Sequence, residues 1–121
     1  MKTLENTYTS PERNFTVTEK DINNKNALLT HVLYNEMEDF VKSIITKHAY
    51  MAFPLPQLYK LQLLKNAFLN DKLLIKSQII KYDASELHLL ATVYNQAPEL
   101  NETICKAVFK FPLNAAISNA S

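Results

Sequence analysis

The stretch Asp21-Ile-Asn-Asn-Lys-Asn-Ala-Leu-Leu-Thr-His-Val-Leu-Tyr-Asn-Glu-Met-Glu-Asp-Phe40 changes character in its middle. Its first six residues, Asp21 to Asn26, are short, polar turn-formers. From Leu29 onward the pattern is helical. Leu33, Met37, Phe40, Val41, Ile44, Ile45 and His48 recur at three- and four-residue steps, which predicts one long amphipathic helix from about Leu29 to His48. Thr30 is placed to cap its start. Lys47 and His48 put positive charge at its end, where the helix dipole favours it, and Pro54 and Pro56 close the region.

Strand-like segments flank this helix. Upstream, Asn14 to Lys20 alternates apolar and polar residues and reads as a short strand, preceded by a loose polar arm, Met1 to Arg13. Downstream, strands are expected over Leu58 to Phe68, Lys72 to Tyr82, Glu86 to Asn95 and Thr103 to Phe111. Leu87, Leu89, Ala91 and Val93 share one face of the third, and Cys105, Ala107, Phe109 and Phe111 one face of the fourth. Asn70-Asp71 and Asp83-Ala84-Ser85 read as hairpin turns. The tail from Asn114 to Ser121 is small and polar, which leaves residues 14–113 as one domain. A strand, a long helix and four consecutive strands predict an α+β fold, an antiparallel sheet curved around one central helix.

Composition narrows the function classes. The chain has 121 residues, a formal net charge of +1, no lysine or arginine run longer than a pair, and no apolar run that would span a bilayer. Neither nucleic acid nor a membrane span is therefore expected. Met1 to Lys20 has no apolar core of a secretory leader, and one cysteine, Cys105, fits a reducing, cytoplasmic setting. Three histidines without metal-ligand spacing predict no metal site. Glycine is absent altogether, against roughly 7% in ordinary proteins. That excludes phosphate-binding loops, dinucleotide fingerprints and glycine-hinged nucleophile elbows. It also leaves the twelve asparagines to fill left-handed turns.

The order of elements and the Asp21–Phe40 stretch resemble the hotdog-fold acyl-CoA thioesterases. That family carries Asp-x-Asn-x-x-Gly-x-x-x-Gly-Gly before an apolar helix bearing an acid. Here Asp21 and Asn23 keep the start, Asn26 stands at the first glycine, Thr30-His31 at the glycine pair, and Glu38, with Asp39 beside it, at the acid. Ile44-Ile45-Thr46-Lys47-His48 is similar to the Thr-Arg-His helix ending of some members, and Ala107-Val108-Phe109 to the last strand. The resemblance covers about Phe15 to Leu113. It implies a homodimer, with tetramers or hexamers as further assemblies, acting on an acyl-CoA or acyl-carrier thioester without a separate cofactor. It also implies that Glu38 activates water while N–H groups at the helix start polarise the carbonyl.

Each candidate has an ordinary alternative. Glu38 could pair with Lys42 one turn on, and Asp39 is the neighbour able to replace it. Asn23, for orienting carbonyl or water, and Asp21 could simply shape the turn. Thr30 and His31 stand where substrate should pass, and His31 shares a helix face with Glu38. Cys105 reads as a core residue. An inactive acyl-binding or scaffolding domain, and a 3-hydroxyacyl thioester dehydratase, are the competing functions.

Overall fold

The computed structural model describes residues 11–47, 56–96 and 102–112. The expected arm before Pro11, His48, Pro54 and the tail lie outside them. The chain forms β1 (Glu12–Thr16), a single 3-10 turn (Glu19–Asp21), α1 (Thr30–Lys47), β2 (Gln57–Leu63), β3 (Lys72–Tyr82), β4 (Glu86–Asn95) and β5 (Thr103–Pro112). The strands make one antiparallel sheet in the order β1-β3-β4-β5-β2. The helix packs on one face of that sheet.

The core follows the two periodicities. From α1 come Leu33, Met37, Phe40, Val41, Ile44 and Ile45, all buried. The sheet answers with Leu73 and Ile75 of β3, Leu87, Leu89, Ala91 and Val93 of β4, and Cys105, Ala107, Phe109 and Phe111 of β5. Burying each large side chain contributes roughly 1.5–3 kcal/mol, so this shared face holds helix and sheet together. No helix of the described residues is long and apolar enough to cross a membrane.

Four sequence expectations need correction. The first strand is Glu12–Thr16 rather than Asn14 to Lys20. Its pairing with β3 ends where Val17 and Asn70 take over, Val17 donating to the Asp71 carbonyl at 3.0 Å and accepting from the Asn70 N–H at 2.9 Å. The chain then coils so that the Asp21 carboxylate accepts from the Thr18 N–H and hydroxyl at 2.9 and 2.7 Å. The second strand stops at Leu63 rather than Phe68, because Leu64 and Lys65 both donate to the Ile104 carbonyl and turn the chain out of the ladder. Asn70-Asp71 is no hairpin turn. It joins β2 to β3, which sit at β5 and β1 on opposite sides of the sheet. Thr30 is the first residue of α1 rather than its cap. The Leu29 carbonyl receives the Val32 and Leu33 N–H groups, so an apolar residue occupies the cap position.

The glycine-free turns use asparagine as expected. Among the described residues, two have positive φ, Asn26 (64°) and Asn70 (75°). Both lie where the left-handed region is needed, and a short polar side chain tolerates it.

Candidate functional site

The loop before α1 is held by its own polar groups. Asp21 is 7% exposed, and its carboxylate is used by Thr18. Its carbonyl accepts from the Leu29 N–H at 2.9 Å, which fixes where α1 begins. The Asn23 side-chain oxygen accepts from the Lys25 and Ala27 N–H groups at 2.7 and 3.1 Å. That is an Asx-type turn, and it leaves the exposed Asn23 amide NH2 as the group free to meet a ligand. Asn26 in the left-handed region and an Ala27–Phe68 bridge complete the loop.

Thr30 and His31 form the exposed first turn of α1. Among the described residues no acceptor takes the N–H of either one. A helix start leaves such donors aimed outward, ready for developing negative charge. Their exposed side chains add bulk where the resembling family has glycines.

Glu38 is half-buried on α1, and Tyr34, also half-buried, lies one turn earlier on the same helix. Burial first, and the Glu38 carboxylate second, hold the Tyr34 phenol above its ordinary pKa, so the hydroxyl keeps its proton. The Tyr34 ring lies 5.9 Å from that of Phe109 on β5. Asp39 is separated from this pair. Its exposed carboxylate accepts from Arg13 of β1 at 2.8 Å, while the same guanidinium approaches Glu36 at 3.6 Å and lies over the Phe40 ring at 5.5 Å. Among the described residues no ion pair joins Glu38 to Lys42. Tyr34 and Arg13 escaped the sequence reading. Tyr34 was signalled by its four-residue spacing from Glu38, whereas Arg13 carried no local signal.

The structure therefore keeps Asp21, Asn23, Thr30 and His31 around the helix start and places Glu38 apart from them. The rise along an α-helix is about 1.5 Å per residue, so Glu38 stands roughly 12 Å along the axis from Thr30. Grooves of about 670, 520 and 250 Å³ open on the outer sheet face, beside the 3-10 turn, and between β1 and α1. Glu38 lines none of these three. On β2, Leu58, Leu61 and Leu63 pair with Phe109, Ala107 and Cys105, whose side chains face α1, yet all three leucines are exposed. Among the described residues no three His, Cys, Asp or Glu side chains converge as metal ligands.

Solved structures with this architecture are numerous. An acyl-CoA hydrolase from Staphylococcus aureus, in complex with butyryl coenzyme A, coenzyme A and coenzyme A disulfide, superposes with a TM-score of 0.77 at 15% identity. The match covers 86% of this chain and 65% of that one, so the chain spans just under two thirds of that hydrolase. A Streptococcus mutans protein bound to acetyl CoA matches with a TM-score of 0.74 at 18% identity, covering 84% of this chain and 78% of that one. The chain has the hotdog fold. A hexameric thioesterase from Yersinia pestis shares that hotdog architecture at a TM-score of 0.74 and 15% identity, over 87% of this chain and 88% of that one. Identities this low carry the fold and not the reaction. No family model matches the sequence, and no curated protein matches it.

Proposed function

We propose that this hotdog domain hydrolyses an acyl thioester, carried on coenzyme A or an acyl carrier, at a site shared between two protomers. The observation that carries this reading is the axial separation of about 12 Å between Glu38 and the open N–H groups of Thr30 and His31. One carbonyl cannot lie within hydrogen-bond reach of the helix start and also beside water activated by Glu38 of the same chain. Two α1 helices packed antiparallel remove the conflict, because the Glu38 of each then approaches the helix start of the other. The exposed inner-face leucines of β2, Leu58, Leu61 and Leu63, are an apolar surface that such a partner would cover.

In the reaction, water oxygen bonds to the thioester carbonyl carbon as its proton passes to Glu38. Charge developing on the carbonyl oxygen is met by the partner helix start. The C–S bond then breaks, and the proton held by Glu38 goes to the departing thiolate. The Asn23 amide is in the right loop to orient the acyl group. Asp39, engaged by Arg13, is assigned no direct part.

One feature of a structural neighbour supports the choice of Glu38. Structures of the Staphylococcus aureus hydrolase include one with an aspartate and one with an asparagine replaced by alanine. The two positions stand fifteen residues apart in that chain, the spacing of Asn23 and Glu38 here. Glu38→Ala is expected to abolish thiol release from acyl-CoAs while the dimer stays folded. Thr30→Pro removes one helix-start N–H at a position where proline is tolerated, and is expected to slow turnover as well. Dimers mixed from the two variants contain one undamaged site and should regain activity. Failure of the mixture to recover, with both variants folded and dimeric, would refute the shared site. Silence of the wild type across acyl-CoAs of all chain lengths, with ligand still raising Tm, would favour an acyl-binding domain instead.

A further inference from the structure

The sheet face turned away from α1 holds an apolar stripe between two bulges. A register shift in β2 leaves Tyr59 unpaired, and one in β3 leaves Ile80 unpaired. A bulge re-aims its extra side chain, and both of these are exposed, at 55% and 48%. The Tyr59 ring lies 6.0 Å from that of His88 on β4. Ile80 lines the groove of about 670 Å³ together with Leu90 and Val108. Leu90 pairs with Val108 and Val108 with Lys60, so Ile80, Leu90, Val108 and Lys60 follow one another across β3, β4, β5 and β2. At about 4.8 Å per strand this line spans roughly 14 Å. The row on one side of it is His88 and Lys110, and on the other Thr92 and Lys106. Residues two apart on a strand are roughly 7 Å apart, so the stripe is one side chain wide.

Charge around the stripe is unbalanced at its β2 end. Lys81 lies 2.8 Å and His88 3.2 Å from Glu86, and Lys76 lies 3.9 Å from Glu12. Lys60, Lys106 and Lys110 have no carboxylate partner among the described residues. Lys106 and Lys110 flank Val108 along β5, and Lys60 faces it from β2. The Nζ atoms of Lys60 and Lys110 lie 5.7 and 4.7 Å from the centre of the one Tyr59 ring. We propose that this groove binds a linear amphiphilic anion, a medium-chain carboxylate. Its head sits among the three ammonium groups and its chain runs over Val108 and Leu90 to Ile80. Three uncompensated like charges gathered at one point favour an anion there, and covering the exposed stripe removes apolar surface from water. The width of the stripe selects a single chain over a partner helix, which is about 10–12 Å across with its side chains. The groove lies across the sheet from Glu38 and the helix start, so it stands whether or not the protein hydrolyses thioesters.

The test is an NMR titration of the isotope-labelled full chain with sodium decanoate. The backbone amides of Lys60, Ile80, Leu90 and Val108 are expected to shift and to saturate. Octanoate should bind about fourfold more weakly, since two methylenes covered on one side contribute roughly half of what full burial gives. Ile80→Asp puts a carboxylate on the stripe at an exposed position and should abolish the shifts while the rest of the spectrum stays that of the folded protein. Lys60→Gln, Lys106→Gln and Lys110→Gln combined should weaken decanoate by roughly tenfold, the strength of three exposed ion pairs. An unchanged affinity in that triple variant overturns the proposal. So does decanol moving the same amides as strongly as decanoate, because the lysines then select nothing. Coenzyme A without an acyl chain binding the groove as tightly would make it a phosphate site and overturn the proposal too. Decanoate shifts confined to residues 21–38, or binding to phosphatidylglycerol vesicles with no response to monomeric decanoate, would equally overturn it.

Discussion

Replacing Asn26 by alanine tests whether asparagine does the work of glycine in this chain. Asn26 has φ 64° and Asn70 φ 75°. The left-handed region costs an ordinary L-residue roughly 1–2 kcal/mol, because Cβ crowds the following carbonyl. Asparagine is among the few residues that enter it routinely, whereas alanine has no polar side chain to offset the crowding. Asn26→Ala is therefore expected to lose about 1 kcal/mol. Glycine avoids the crowding but gives up roughly 0.5–1 kcal/mol of backbone entropy, so Asn26→Gly should lie close to wild type. For a domain of this size about 1 kcal/mol corresponds to roughly 3–6 °C in Tm. The assay is urea unfolding at fixed protomer concentration, because assembly makes apparent stability depend on concentration. The expected order of midpoints is Gly close to Asn, with Ala clearly below, and the slope unchanged. Asn70→Ala should behave alike. The two loops touch, since the Leu69 N–H donates to the Asn26 carbonyl at 2.9 Å, so the double alanine variant should depart from additivity. An Asn26→Ala protein as stable as wild type, or a glycine variant less stable than alanine, would refute the argument.

Three further outcomes follow from contacts in the structure. Burial pushes the Cys105 thiol up to about 11, and it lies 3.9 Å from the Met37 sulfur. Only about one thiol in a thousand is then ionised at pH 8, so Cys105 should resist alkylation in the native protein and react at once in urea. N–H groups of Ser85 and Glu86, then the Ser85 hydroxyl, hold the Asp83 carboxyl below its ordinary value. A depressed carboxylate contributes stability above its unfolded pKa and loses it as pH falls through the folded one. The urea midpoints of wild type and Asp83→Ala should therefore differ at neutral pH and converge on acidification below the carboxylate range; a gap independent of pH would exclude the charged cap. Arg13→Ala removes the Asp39 ion pair and the contact with Phe40, and is expected to cost about 1 kcal/mol, part of it vanishing in high salt. A loss wholly insensitive to salt would assign Arg13 to packing alone.

Local periodicity made much of the fold legible. The six buried residues of α1 and the inward faces of β4 and β5 follow directly from three-and-four and two-residue spacings. Strand order did not, because it depends on pairings between distant segments. β2 reads as one more apolar strand, and nothing local reveals that it crosses to the far edge beside β5 with all seven residues exposed. The same holds for charge. Lys60 and Lys110 are far apart in the chain, yet β2–β5 pairing brings both ammonium groups to the Tyr59 ring, at 5.7 and 4.7 Å. A search for runs of lysine cannot see a group assembled by register.

The candidate site divides along the same line. Glu38 and Asp39 are adjacent acids, and the chain alone offers no reason to separate them. Successive helix residues point about 100° apart, so β1 decides the matter by covering one side of α1. Arg13, twenty-six residues before Asp39, takes that carboxylate, while among the described residues no ion pair engages the half-buried Glu38. Which acid is available is thus fixed by a strand that meets the helix only after folding. On the proposed reading, an acid roughly 12 Å from the donors it must work with requires the donors of another chain. Asn26, Thr30 and His31, which stand where the resembling family has glycines, bear on those donors and not on the acid. Turnover, on the same proposed reading, therefore depends on whether a thioester can pass the Thr30 and His31 side chains. Alanine at both positions, which keeps every N–H and removes the bulk, should raise kcat/KM for long acyl chains more than for short ones. An equal change for all chain lengths would place the constraint elsewhere.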